Sequence, residues 1–161
     1  MLRLTRQADY GIVLMRHMAS DAERLWNAPD LAAEAFLPPP MVSKILKLLA
    51  KEGLLQSHRG VKGGYSLARA SEEISMAQII TALEGPIAVT ECIENSPGEC
   101  VQEPVCPVRG HWQILNRAVR KALDEITLAH LVQPSPRLLV TLGGHHDPQE
   151  RPGTLLVGPP G

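Results

Sequence analysis

Three consecutive prolines, Pro38-Pro39-Pro40, stand between two short stretches of helical periodicity, and no helix runs through such a triplet. Two helices must therefore meet there at an angle. Before the triplet, Asn27 is a good N-cap, Pro29 falls in a first turn, and Leu31, Ala32 and Ala35 form one apolar face. After it, a proline can open a helix, and the spacing predicts one from Pro40 to Lys51 that stops at Gly53. Val42, Ile45, Leu46 and Leu49 would face inward. Lys44, Lys47 and Lys51 follow i, i+3, i+7 spacing and collect on the opposite side.

The flanking segments extend the pattern. Ala8, Ile12, Met15 and Ala19 predict a first helix over residues 5–19, with Leu2 and Leu4 as an apolar lead-in. Leu54 to Arg59 and Tyr65 to Ala68 are short extended runs around Gly60-Val61-Lys62-Gly63-Gly64, which predicts a β-hairpin with a basic tip. Ser75 can cap a fourth helix that runs through Leu83 and ends at Gly85-Pro86. The expected fold class is mainly α with a small β-hairpin wing. Helix, helix, proline-broken turn, basic helix and basic hairpin is the order of a winged helix-turn-helix, whose second motif helix enters the DNA major groove. Lys44 and Lys47 would then meet phosphates and Ser43 would reach base edges, while Arg59 and Lys62 would sit in the wing. The competing account is an amphipathic helix with an ordinary solvated lysine face.

Charge favours the nucleic-acid account. The net charge of −1 conceals +4 over residues 1–70 and −5 over residues 71–161. Glu52 is the only acid between residues 36 and 69, set against six Lys/Arg, a concentration suited to phosphate. No apolar run reaches the ~18 residues of a membrane span, and the N-terminus lacks the pattern of a secretion signal, so a cytoplasmic location is expected. No G-x-S-x-G, Walker loop or H-E-x-x-H occurs, so an enzyme is not expected.

Cys92, Cys100 and Cys106 fall within 15 residues and are the chain's only cysteines. Their C-x7-C-x5-C spacing differs from the knuckles of zinc ribbons, and an odd number cannot all pair as disulfides. They sit among Glu91, Glu94, Glu99 and Glu103, beside prolines, in a stretch without period that should be a loop. Carboxylates disfavour bare thiolates unless a cation sits among them, which points to a metal or cluster site. A metal-free thiol switch and a zinc-stabilised interaction module remain open alternatives. Next, Val108, Trp112, Leu115, Val119, Ala122 and Ile126 alternate by four and three, the pattern of a helical seam. Packing on its own domain and self-association both fit that pattern. Residues 133–161 hold 6 Pro and 5 Gly in 29 positions and are expected to be disordered, with His145-His146 as merely solvated residues.

The start Met1-Leu2-Arg3-Leu4-Thr5 with Asp9-Tyr10-Gly11, the stretch from Gly53 to Tyr65, and three cysteines ahead of a long helix resemble the IscR and NsrR type of iron-sulfur winged-helix transcription regulators. The start looks most like the branch that regulates the SUF system of iron-sulfur assembly. The resemblance covers residues 1 to about 132. It implies a homodimer that binds a double-stranded DNA operator and pairs through the helix from about Val108 to Ile126. It also implies an iron-sulfur cluster, 2Fe-2S or 4Fe-4S, held by Cys92, Cys100 and Cys106. In the IscR branch a histidine follows the last cysteine by three residues; here that position is Arg109, with His111 two further on. NsrR-type members use an aspartate of the partner's first helix, and Asp9 matches it, which makes Asp9 the favoured fourth ligand over His111. Pro38, Pro40 and Ser43 depart from the more polar reading residues of IscR, so the operator sequence does not transfer. The implied organisation is a DNA-binding domain over 1–85, a cluster-binding loop over 86–107, a dimerisation helix over 108–132 and the tail.

Overall fold

The computed structural model describes residues 3–90 and 105–133. Its elements are α1 (Arg6–Ser20), α2 (Ala28–Ala35), α3 (Pro39–Lys51), β1 (Leu55–His58), β2 (Gly64–Leu67), a single 3-10 turn at Ser71–Glu73, α4 (Met76–Glu84), α5 (Arg109–Asp124) and α6 (Leu128–Val132). This is a mainly α winged helix-turn-helix with one two-stranded antiparallel hairpin. Among the described residues no helix is long and apolar enough to cross a membrane. Residues 1–2, Cys92 and Cys100, and the tail from residue 134, His145-His146 included, lie outside the described residues.

The starts of α1, α2, α3 and α4 are set locally. The Thr5 hydroxyl accepts from the Ala8 amide at 3.2 Å, and the Asn27 side chain accepts from the Asp30 amide at 2.8 Å. Ser75 and Gln78 form a reciprocal capping box at α4. α3 begins at Pro39, one residue before the expected Pro40, because two prolines fit a first turn whose amides need no partner. The two helices flanking the triplet are joined through Phe36, whose φ of 53° turns the chain out of α2 while the Leu37 amide bonds back to Ala32 O at 3.0 Å.

Leu14, Met15, Leu31, Val42, Ile45, Leu46, Leu49 and Ile79 are fully buried in one core between α1, α2, α3 and α4. The inner face of α3 is the expected one. That of α1 is rotated: Ala8, Gly11, Leu14, Met15 and Met18 are buried, while Ile12 and Ala19 lie at the margin. α1 is packed by α3 and α4 on one side and α6 on another, so burial covers a wider arc than one stripe. A methyl on Gly11 would collide with Leu83, so the glycine lets α1 and α4 approach closely.

The hairpin pairs Leu55 with Leu67 and His58 with Gly64. Trp26, 3% exposed, adds a one-residue third strand: its amide donates to Tyr65 O at 2.9 Å and its carbonyl accepts from the Tyr65 amide at 2.7 Å. The wing is thereby tied to the loop ahead of α2.

The segment 108–132, expected as one helix, is two. α5 ends at Asp124, Thr127 adopts an extended conformation, and α6 follows. The cause is tertiary. Thr127 bridges to Ser75, with the Met76 amide donating to Ile126 O at 2.8 Å and the Leu128 amide to Ile74 O at 2.7 Å. Leu128 is fully buried, so the chain turns back into the core instead of extending the helix.

Candidate nucleic-acid interface and cysteine segment

Because Val42, Ile45, Leu46 and Leu49 anchor one side of α3, the other side faces solvent. Lys44 and Lys47 are exposed there and Ser43 is half-buried. The tip between β1 and β2 exposes Arg59, Val61 and Lys62. Gly60, at φ 111°, and the Gly63 amide bonded to Gly60 O at 2.9 Å make that tip a tight turn. Lys44, Lys47, Arg59 and Lys62 form no ion pair among the described residues, so their charge is available to an external anion. Two cationic elements rooted in one core are the arrangement a winged helix needs to follow a duplex backbone.

Cys106 is half-buried with a free thiol, one residue short of the turn that opens α5. His111 is exposed in the first turn of α5 and Asp9 is exposed in the first turn of α1. Among the described residues no three His, Cys, Asp or Glu side chains come together as a metal site. The seam of α5 is only partly covered: Val108, Leu115 and Ile126 are more than 40% exposed and Trp112 and Val119 are half-buried. Asn116, 4% exposed, accepts from the Val89 amide at 3.2 Å and pins the chain that leads to Cys92 against α5.

Sequence reasoning missed three residues that shape these regions. Trp26 anchors the wing through a pairing partner 39 positions away, which no local pattern displays. Asn116 lies inside an apolar helical repeat, where a lone amide is itself a signal of a buried hydrogen bond. Phe36 is 95% exposed and left-handed, and its visible sign was an aromatic two residues ahead of a proline run.

The chain is similar to the HTH-type transcriptional regulator NsrR of Geobacillus kaustophilus, at 32% identity over 133 residues, covering 82% of this chain and 90% of that one. Its fold matches the structure of CymR, the global cysteine regulator of B. subtilis, with a TM-score of 0.64 at 28% identity over 82% of this chain and 97% of that one. It also matches IscR of T. potens, with a TM-score of 0.64 at 25% identity over 88% and 94% of the two chains. The sequence profile of the Rrf2 family, described as an iron-dependent transcriptional regulator, matches residues 4–134, and the chain belongs to this family of winged-helix transcription regulators, which are not enzymes.

Proposed function

We propose that this regulator binds its operator as a homodimer and carries an iron-sulfur cluster on Cys92, Cys100 and Cys106 whose state sets its affinity for DNA. The observation that carries the DNA half is the unpaired cationic surface of Lys44 and Lys47 on α3 with Arg59 and Lys62 on the wing, around Ser43. Lys and Arg contacts to phosphate would hold the helix in register, and the Ser43 hydroxyl would meet a base edge. Dimer formation rests on the exposed apolar seam of α5, which needs a cover that the described residues do not supply. A two-fold dimer calls for an inverted repeat with half-sites roughly 34–36 Å apart or a multiple of it.

The donor set suits a cluster. Three thiols are soft ligands for iron, and the Cys106 thiol is free and half-exposed at the start of α5. Asp9 of the partner, exposed and with a carboxylate that makes no hydrogen bond or ion pair among the described residues, is the favoured fourth ligand, with His111 as the alternative. The cluster, when bound, supplies a centre sensitive to oxygen, redox state or nitric oxide. Asn116 holds the Val89 amide against α5, so the cysteine segment departs from a fixed point and its rearrangement is transmitted to that helix. Genes of iron-sulfur assembly are the proposed targets, and the cytoplasm the proposed location.

Likeness to CymR of Staphylococcus aureus, which has a structure in an oxidized form, favours a second reading, in which the thiols of this chain act as a metal-free redox switch. Anaerobic purification with a visible spectrum and counts of iron and acid-labile sulfide separates the two. Stoichiometric sulfide with charge-transfer bands is expected. Colourless protein that takes up neither iron nor sulfide on reconstitution would leave only the thiol switch.

A further inference from the structure

The solvent-facing stripe of α3 is Pro40, Ser43, Lys44 and Lys47, at i, i+3, i+4 and i+7, opposite the fully buried Val42, Ile45, Leu46 and Leu49. Pro40 leads that stripe and is exposed, as is Pro39 beside it. In a helix-turn-helix the N-terminal residues of the second helix are those that approach base edges. Such a helix start ordinarily brings free amides, which favour phosphate or a base acceptor. Here it brings none. Pro38, Pro39 and Pro40 have no N–H, and the amides of Met41 and Val42 both donate to Pro38 O, at 3.0 and 3.1 Å. Pro38, the N-cap, offers no side-chain hydrogen bond either.

An end with neither donors nor side-chain acceptors cannot satisfy the polar edges of guanine, cytosine or adenine, and placing it against them strands those groups without water. The major groove presents one apolar feature, the C5-methyl of thymine. The geometry points to Pro40, with Pro39 beside it, reading thymine methyls by apolar contact one helical turn ahead of the base contact assigned to Ser43. This rests on the DNA-binding reading of α3 given above and assigns its substrate preference at particular positions: thymine where Pro40 meets the groove, with Lys44 and Lys47 indifferent to sequence.

The test uses the full chain as purified and duplexes selected from a random library, with deoxyuridine then replacing thymidine one position at a time. Uracil keeps every hydrogen-bonding group of thymine and lacks only the methyl. Burial of one such group is worth ~0.8 kcal/mol, a loss of about fourfold in affinity per half-site. Loss is expected at thymines inside the selected half-site facing α3 and not at flanking thymines. Pro40→Ser, which restores an amide and a hydroxyl at a position that accepts both, is expected to abolish the discrimination and keep the salt dependence. Equal affinity for thymine and uracil duplexes in the wild type overturns the inference, as does a Pro40→Ser protein that still discriminates fourfold. If the wild type retains no duplex from the library, the DNA-binding reading of α3 has failed first and the inference falls with it.

Discussion

Replacing Gly64 by alanine should detach the wing from the body while leaving the helical core folded. A Cβ at position 64 would lie 2.6 Å from the Trp26 carbonyl oxygen and 2.9 Å from its carbonyl carbon. Both atoms are backbone, so relief requires the Trp26–Tyr65 bridge to open. That bridge is two hydrogen bonds, each worth about 0.5–1.5 kcal/mol net. The expected cost is therefore about 2 kcal/mol, which in a chain of 161 residues lowers Tm by roughly 4–8 °C. Gly53→Ala is the matched control: its φ of 74° makes alanine strained, but no atom lies within 4 Å, so it should cost stability without releasing the wing. Amide exchange read at Trp26 and Tyr65 should lose protection in Gly64→Ala and keep it in the control. DNA affinity should fall with it, and the salt dependence should weaken by up to ~1.8 in slope per protomer, or ~3.6 for the proposed dimer, as the Arg59 and Lys62 contacts to phosphate are lost. Unchanged protection at both amides together with a Tm within 1 °C or so of wild type would refute the reasoning.

Ser75→Ala removes both the cap on the Gln78 amide and the hydrogen bond the hydroxyl donates to Asp124 at 3.1 Å, and a loss of about 1–2 kcal/mol is expected in denaturant unfolding. Phe36→Gly should stabilise the protein by several tenths of a kcal/mol: the side chain is 95% exposed and contributes no burial, the left-handed backbone costs an L-residue ~1–2 kcal/mol, and glycine returns roughly 0.5–1 of that as chain entropy. Thermal melts of the two variants measure both signs. Replacing Lys44 and Lys47 together by alanine should weaken binding about equally on selected and random duplexes and lower the salt slope by ~1.8 per protomer, or ~3.6 for the proposed dimer, read by titration at several ionic strengths.

What the chain displays in its sequence follows the range of the forces involved. α2, α3 and α4 announce themselves through Asn27, the proline triplet and Ser75, whose effects reach only three or four residues. The hairpin tip and the exposure of Lys44, Lys47, Arg59 and Lys62 follow from the same local rules. The break at Glu125–Thr127 was illegible because an apolar repeat ran on to Ile126, and only pairing with Ser75, 52 positions earlier, prevails over it. Rotation of the α1 face has the same origin, since α6 returns to cover it. Among site residues, Asp9 and the α5 seam have roles that would be completed by a second chain, so neither a single sequence nor a single protomer displays them.

The three ties around Ser75 and Thr127 make α5 a mechanical arm with one clamped end. Met76 to Ile126, Leu128 to Ile74 and Ser75 to Asp124 all grip its C-terminal end, while Cys106 precedes the opposite end. Sixteen residues at 1.5 Å each give the arm a length of about 24 Å. A 2 Å displacement at the cysteine end turns an arm of that length by about 5°. Carried across the roughly 34 Å between half-sites of the proposed dimer, the same angle would shift a reading helix by about 3 Å, the length of one hydrogen bond. A small rearrangement among the cysteines would thus be magnified by leverage into a mismatch of register on the operator, with no need to unfold any part of the DNA-binding module.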